Sequence, residues 1–417
     1  MKILLLGSLV SREAMEQLNN ASKVKASVAP VNYETMLAKG LQENGAEVEA
    51  ISVPAVAAWP GSKVPYSCSK QERLPFGVSV RWLPFINVQF LKQWSIARSA
   101  KKALRRWLDA NRGVQDKAVL MYSIYPPYTK VAIKLCKKYG CNLSAVIADL
   151  PEYMYSWKKS RGLKGVYASY LSRQMLRLQG ACDSYVLFTE KMAARMGVAH
   201  KPYIVSEGFS DLSIYDDVPP QKKCEKKTLI YAGNLSRLYG IRSLVDGFMR
   251  VQGDCELHLY GAGSDAEYIQ QCAQVDNRIK YMGRVSREQV LIALKKAHLI
   301  VINKPTADDY SNYSFSSKIL EGMVSGTPVL TTRVGGMPQE YCDYFYFIED
   351  ETSKGLAHAM EETLWLPEDE LVQKGESARQ FAAQEKNYQS MTRKILDFLE
   401  TSIPVDGDNA RRQGSEQ

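Results

Sequence analysis

At 417 residues the chain is longer than one hydrophobic core usually organises, so two domains are expected. A hydrophobic fraction of 45% and a charged fraction of 24% are those of a soluble globular protein and exclude fibrous or wholly disordered classes. The net charge of +9 comes without a recognised nucleic-acid-binding motif, which argues against a nucleic-acid partner.

Eight cysteines form no Cys-x-x-Cys pair, and the four histidines form no metal-ligand cluster with them. The cysteines sit at apolar positions and read as reduced core residues of a cytoplasmic protein. No run reaches the roughly 20 apolar residues that span a bilayer. The apolar start, 2–10, is too short for a signal peptide and reads as a buried first strand.

The first half alternates strand-like and helix-like segments. Strands are expected at 2–10, 47–53, 78–83, 118–122, 143–148 and 184–188, with helices at 31–44, 91–110, 127–139 and 163–179. Runs such as KILLLG and SAVIAD suit parallel strands buried on both faces. Gly7 and Ser8 close the first strand and lead into a polar insertion, 11–30. The segment 213–227, with its Pro pair and Lys run, reads as an interdomain linker. Alternation then restarts, with strands expected at 228–233, 256–261, 279–283, 298–303 and 328–332. The expected class is α/β, with two Rossmann-like domains facing each other across a cleft. The first covers 1–212 and the second 228–380; a final helix, 381–402, packs back across the hinge and 403–417 is a disordered tail.

The densest chemistry is in 313–330, YSFSSKILEGMVSGTPVL. Ser316, Ser317 and Lys318 open a helix, Glu321 follows within two turns, and Gly326 ends it before Pro328. A helix N-terminus offers N–H groups and a positive dipole end to a diphosphate. Lys318 adds a mobile cation, and Glu321 can accept hydrogen bonds from ribose hydroxyls. On spacing alone, a capped helix with a solvated Glu321 is an equal reading.

These residues resemble the donor motif of GT-B-fold retaining glycosyltransferases of the family-4 type, including members that assemble bacterial polysaccharides. Glu321, Gly326, Thr327, Pro328 and Val329 match the motif, and Phe315 to Lys318 is similar to its Phe-Pro-Ser-Lys variant. The resemblance implies donor contacts at Gly7 in the first domain and Gly233, Asn234, Arg237, Gly261, Gly263, Arg284, Val285, Ser316, Ser317, Lys318 and Glu321 otherwise. It implies that Asp149 orients or deprotonates the acceptor hydroxyl; a helix cap or loop carboxylate is the alternative there.

Three positions depart from the family. Tyr313 stands where its first glutamate falls, and Asn234 and Tyr239 stand where its diphosphate-clamping Arg and Lys fall. Arg237 and Lys318 are the candidate replacements. No Asp-x-Asp closes an expected strand, so no metal is expected; the occurrence at Asp406 and Asp408 lies in the tail.

The implied activity is hexosyl transfer, with retention, from a UDP- or GDP-linked sugar to a glycan or lipid-linked acceptor in cell-surface polysaccharide synthesis. No cofactor is expected beyond that substrate. The alternatives are a catalytically silent nucleotide-sugar-binding partner of another transferase, or a sugar-nucleotide epimerase. The segments 81–107 and 153–177 join Lys and Arg to Trp82, Phe85, Phe90, Trp94, Trp107, Tyr155, Trp157, Tyr167 and Tyr170. That mixture suits peripheral attachment to the anionic inner face of the cytoplasmic membrane, or equally a solvated helix face over an ordinary core.

Overall fold

The computed structural model describes residues 1–153, 163–215 and 218–403. By internal contact the chain forms two compact units, one of 1–207 with 388–417 and one of 208–387. The expected tail beyond 403 lies outside the described residues.

In the first unit the strands are β1 (Lys2–Gly7), β2 (Glu47–Ser52), β3 (Tyr66–Ser67), β4 (Gln71–Arg73), β5 (Ser79–Trp82), β6 (Phe85–Ile86), β7 (Lys117–Tyr122), β8 (Asn142–Ile147), β9 (Ser184–Leu187) and β10 (Tyr203–Val205). Eight form one sheet in the order β10-β9-β8-β7-β1-β2-β5-β4, while β3 and β6 pair separately. Every neighbour in the large sheet is parallel except β4 on β5. Strand order reverses at β1, flanked by β2 and β7, so the switch point lies between β1 and β7. The short β3, β4, β6 and β10 were not legible as strands, having too few residues to show alternation.

The polar stretch 11–30 is not wholly irregular. Its first part is helix Arg12–Asn20, where Ser11 Oγ accepts from the Ala14 amide at 3.3 Å. Ala14 and Met15 bury against Val10 and Val31. Helix Pro126–Tyr139 starts on two prolines and stops at Gly140, whose φ of 60° suits glycine.

The second unit holds β11 (Lys227–Asn234), β12 (Cys255–Ala262), β13 (Ile279–Gly283), β14 (Leu299–Ile302), β15 (Val329–Thr332) and β16 (Tyr346–Ile348). All are parallel, in the order β13-β12-β11-β14-β15-β16, the doubly wound arrangement with its switch between β11 and β14. Alternate residues feed cores on opposite faces: Leu229, Tyr231 and Val301 on one, Ile230, Ile300 and Ile302 on the other.

Segment 213–227 belongs to this second unit rather than forming a free linker, and the unit boundary falls at 207–208. Tyr215 and Val218 bury in the core. Lys223 Nζ donates to the Lys295 and Ala297 carbonyls at 3.0 and 2.6 Å, which pins the strand lead-in. The chain leaves the unit at 387–388, beside its entry: the Ser210 amide donates to the Lys386 carbonyl at 2.7 Å. The helix expected at 381–402 is therefore two. Glu368–Glu385 stays with the second unit, whereas Tyr388–Thr401 joins the first. There Asn44 Nδ2 donates to the Gln389 carbonyl at 2.9 Å, and Gly40 leaves room for Thr392.

Cys136, Cys141, Cys182, Cys255 and Cys272 are buried, but Cys68 is exposed. Among the described residues no helix is long and apolar enough to cross a membrane.

Candidate functional site

At the strand ends of the second unit, three glycines let backbones approach. Gly233 and Gly261 are register partners at the ends of β11 and β12, with φ of 154° and 131°. A Cβ at Gly261 would overlap the Gly233 carbonyl, and one at Gly263 the Leu235 carbonyl. A Cβ at Gly233 would overlap the side chain of Lys318, which therefore lies across this strand end. Lys318 Nζ sits 4.7 Å from the ring centroid of Tyr239 and 5.8 Å from that of Tyr231.

Lys318 comes from helix Ser317–Ser325, which follows the switch strand β14. Ile319, Leu320, Met323 and Val324 bury the other side of that helix, and Gly326 closes it at φ 74°. Its N-cap, Ser316, makes no side-chain cap bond, so the positive dipole end is not neutralised by a capping hydroxyl. Ser317 is exposed next to it.

Glu321 is exposed on the same helix, so a ligand can reach it. Protein on its flanks nevertheless raises its pKa, against the pull of Arg287 and Lys318. Burial lowers the Lys318 pKa, and Glu321 opposes that shift. Arg287, four residues past Gly283, is thus a charged neighbour of Glu321.

The remaining expected donor residues are looser. Asn234 is exposed, and its carbonyl accepts from Tyr231 Oη at 3.0 Å. Arg237 and Arg284 are exposed on strand-end loops, while Val285 packs half-buried against the core. Lys304, which sequence reasoning missed, is buried just beyond β14 with its ammonium on Ser314 Oγ and 4.5 Å from the Tyr310 ring centroid. Among the described residues, no group of three or more His, Cys, Asp or Glu side chains is placed to hold a metal ion.

Gly7 and Asp149 belong to the first unit. The loop after Gly7 is filled by Glu34, from helix Ala29–Glu43: its carboxylate accepts from the Ser8 amide at 2.9 and 3.0 Å and the Leu9 amide at 3.1 Å. The absence of a Cβ at Gly7 is what admits the Glu34 carboxylate. Asp149 is half-buried just past β8 and acts electrostatically on Tyr122, at the end of β7. Glu34 was missed, although it stands on the apolar stripe Val31, Leu37, Ala38, Leu41, where a carboxylate calls for a partner.

Of the aromatics in 81–107 and 153–177, Phe85 and Trp107 are buried and belong to the core. Phe90, Trp94 and Tyr170 are exposed. Tyr155 and Trp157 lie outside the described residues. Phe90 meets Tyr167 edge-on at 5.2 Å, which joins the starts of helices Leu91–Ala110 and Leu163–Leu178.

Residues 226–365 match the family described as glycosyl transferases group 1. A 185-residue stretch is 26% identical to N-acetyl-alpha-D-glucosaminyl L-malate synthase of Bacillus anthracis, over 42% of this chain and 45% of that protein. The match therefore spans less than half the length of that relative. Sucrose-phosphate synthase from Thermosynechococcus elongatus superposes with a TM-score of 0.62 at 15% identity, over 96% of this chain and 99% of that one. Anabaena HepE in complex with UDP gives 0.59 at 15%, over 96% and 100%. Residues 226–365 therefore carry a glycosyl transferases group 1 domain, and the chain as a whole shares the fold of these solved structures, with two doubly wound units.

Proposed function

We propose that this chain transfers a sugar from a nucleotide diphosphate donor, held by the second unit, to a glycan or lipid-linked acceptor. The observation that carries the reading is the Lys318 side chain laid across Gly233 at the strand-end switch, beside Tyr239. Glycosyl transfer requires a departing diphosphate to be stabilised while positive charge grows on the sugar. Backbone N–H groups at Gly233 and at the start of helix Ser317–Ser325, with the Lys318 ammonium, are suited to that task. Glu321 is exposed and one turn further on, where it can accept from ribose hydroxyls. Attack on the face that the leaving group quits would retain configuration and needs no protein nucleophile.

A UDP-linked donor comes first, because the solved Anabaena relative is described in complex with UDP-glucose. A cell-surface polysaccharide is the product class we favour, assembled at the cytoplasmic side of the membrane. In support, helix Leu91–Ala110 exposes Leu91 and Trp94 beside Arg98, Lys101, Lys102 and Arg105. Release of UDP from UDP-glucose or UDP-N-acetylglucosamine, or of GDP from GDP-mannose, dependent on added acceptor, tests the transfer directly.

A further inference from the structure

In a doubly wound sheet, ligands sit beyond the strand ends at the switch point, and successive backbone N–H groups there make a concave seat for an anion. In the first unit that seat is the loop after β1, and it is already occupied. The Glu34 carboxylate accepts from Ser8 N at 2.9 and 3.0 Å, from Ser8 Oγ at 2.5 Å and from Leu9 N at 3.1 Å. A Cβ at Gly7 would overlap that carboxylate, so glycine is what admits it. Glu34 is 2% exposed, on the inner side of its helix.

Its surroundings offer hydroxyls and carboxylates. The ring of Tyr33 lies 5.4 Å from that of Tyr122 and 5.2 Å from that of Phe188, just past β9. Burial raises the pKa of the Tyr122 hydroxyl, and the nearby carboxylates of Glu34 and Asp149 add to the rise. Ser123, immediately after β7, is held at φ 66°, a left-handed conformation that a non-glycine residue adopts only under constraint.

We propose that Glu34 is a built-in occupant of the anion seat and sets acceptor specificity: it takes the place of a phosphate, so this unit accepts neutral sugar hydroxyls and rejects a phosphorylated group there. The seat itself follows from geometry alone, while the word acceptor rests on the transferase reading. Rejection has two sources. The N–H donors are already used, and a phosphate would meet the carboxylates of Glu34 and Asp149 as like charges. Burial raises the Glu34 pKa to about 7, against the hydrogen bonds from Ser8 and Leu9. Protonation does not empty the seat, because a neutral carboxyl still accepts from these amides on its carbonyl oxygen.

The test uses the full chain with inorganic phosphate as probe and chloride at matched ionic strength as control. Amide resonances of protein labelled with 15N at serine and leucine report on Ser8 and Leu9. In wild type and Glu34→Gln these signals should ignore phosphate. In Glu34→Ala, or in Glu34→Ser should the alanine variant not fold, they should titrate at least tenfold more tightly than any wild-type response. A wild-type seat that binds phosphate as well as the opened variant overturns the proposal, as does an opened variant that binds none. UDP-sugar titration of the same proteins separates the two readings: its failure in wild type removes the transferase reading and leaves the phosphate result standing.

Discussion

The ammonium of Lys318 lies 4.7 Å from the ring centroid of Tyr239, the residue standing where the resemblance to family-4 enzymes implies a clamping lysine. A cation has thus been supplied to the same strand end from a different element, the helix that follows β14. Cation–π contact with Tyr239 and packing on Gly233 hold the side chain before any ligand arrives. Replacing Lys318 with Met should lower turnover about tenfold or more, in keeping with loss of one electrostatic stabiliser. Arg237→Met should act in the same direction from its exposed turn. Steady-state kinetics check both, and wild-type turnover in both variants removes the compensation. Because burial lowers the Lys318 pKa below the usual 10.5, nucleotide affinity should also decline earlier on the alkaline side than an ordinary lysine would allow.

Glu321→Ala should weaken nucleotide-sugar binding by about 1.5–3 kcal/mol, the range of a charge-assisted hydrogen bond. The exposed carboxylate can be reached; surrounding protein raises its pKa, and Arg287 and Lys318 oppose that shift. Calorimetric titration of the folded variant measures the change. Unchanged affinity takes Glu321 out of the site.

Glu34 should make stability pH-dependent. Its folded pKa of about 7 exceeds the ordinary 4.5, so the folded state holds the proton more tightly. Stability should then fall as pH rises from about 4.5 to about 7, by roughly 3 kcal/mol at about 1.4 kcal/mol per pKa unit. The facing groups are the Ser8 and Leu9 amides, the Ser8 hydroxyl and the phenol of Tyr122. Glu34→Gln should flatten that slope in denaturant melts across pH 4.5–8; a slope equal to wild type means the titrating group lies elsewhere.

Membrane attachment should follow the exposed face of helix Leu91–Ala110. Aromatic rings favour the headgroup layer, and each basic residue near an anionic leaflet contributes about 1 kcal/mol. Sedimentation with liposomes should rise with anionic lipid and fall with salt, and Trp94→Ser with Arg98→Ser should reduce it. Equal partition onto neutral and anionic vesicles, or onto neither, leaves the face merely solvated.

The sequence showed the parts of this molecule that repeat with a period. Long strands such as KILLLG and TLIYAG announced both sheets, and the helix at 317–325 stood where its Ser-Lys opening and Gly326 marked it. Two-residue strands such as Tyr66–Ser67 carry no alternation to read. The segment 213–227 looked like a linker because Pro and Lys dominate it, yet Tyr215 and Val218 hold it to a core that local composition does not reveal. The resemblance marked glycines 233, 261 and 263 as donor contacts, but the protein neighbours that their missing Cβ atoms admit were not legible. Lys318 crossing Gly233 and Glu34 filling the loop at Gly7 are contacts between distant elements, visible only once the strands are in order.

Calorimetric titration of the wild-type chain with UDP- and GDP-sugars, repeated with Lys318→Met, tests the central claim most directly. The account predicts saturable binding of at least one nucleotide sugar by wild type and affinity lower by about tenfold in Lys318→Met. No binding to wild type across the panel, or equal affinity in the two proteins, would contradict a donor site built on Gly233 and Lys318.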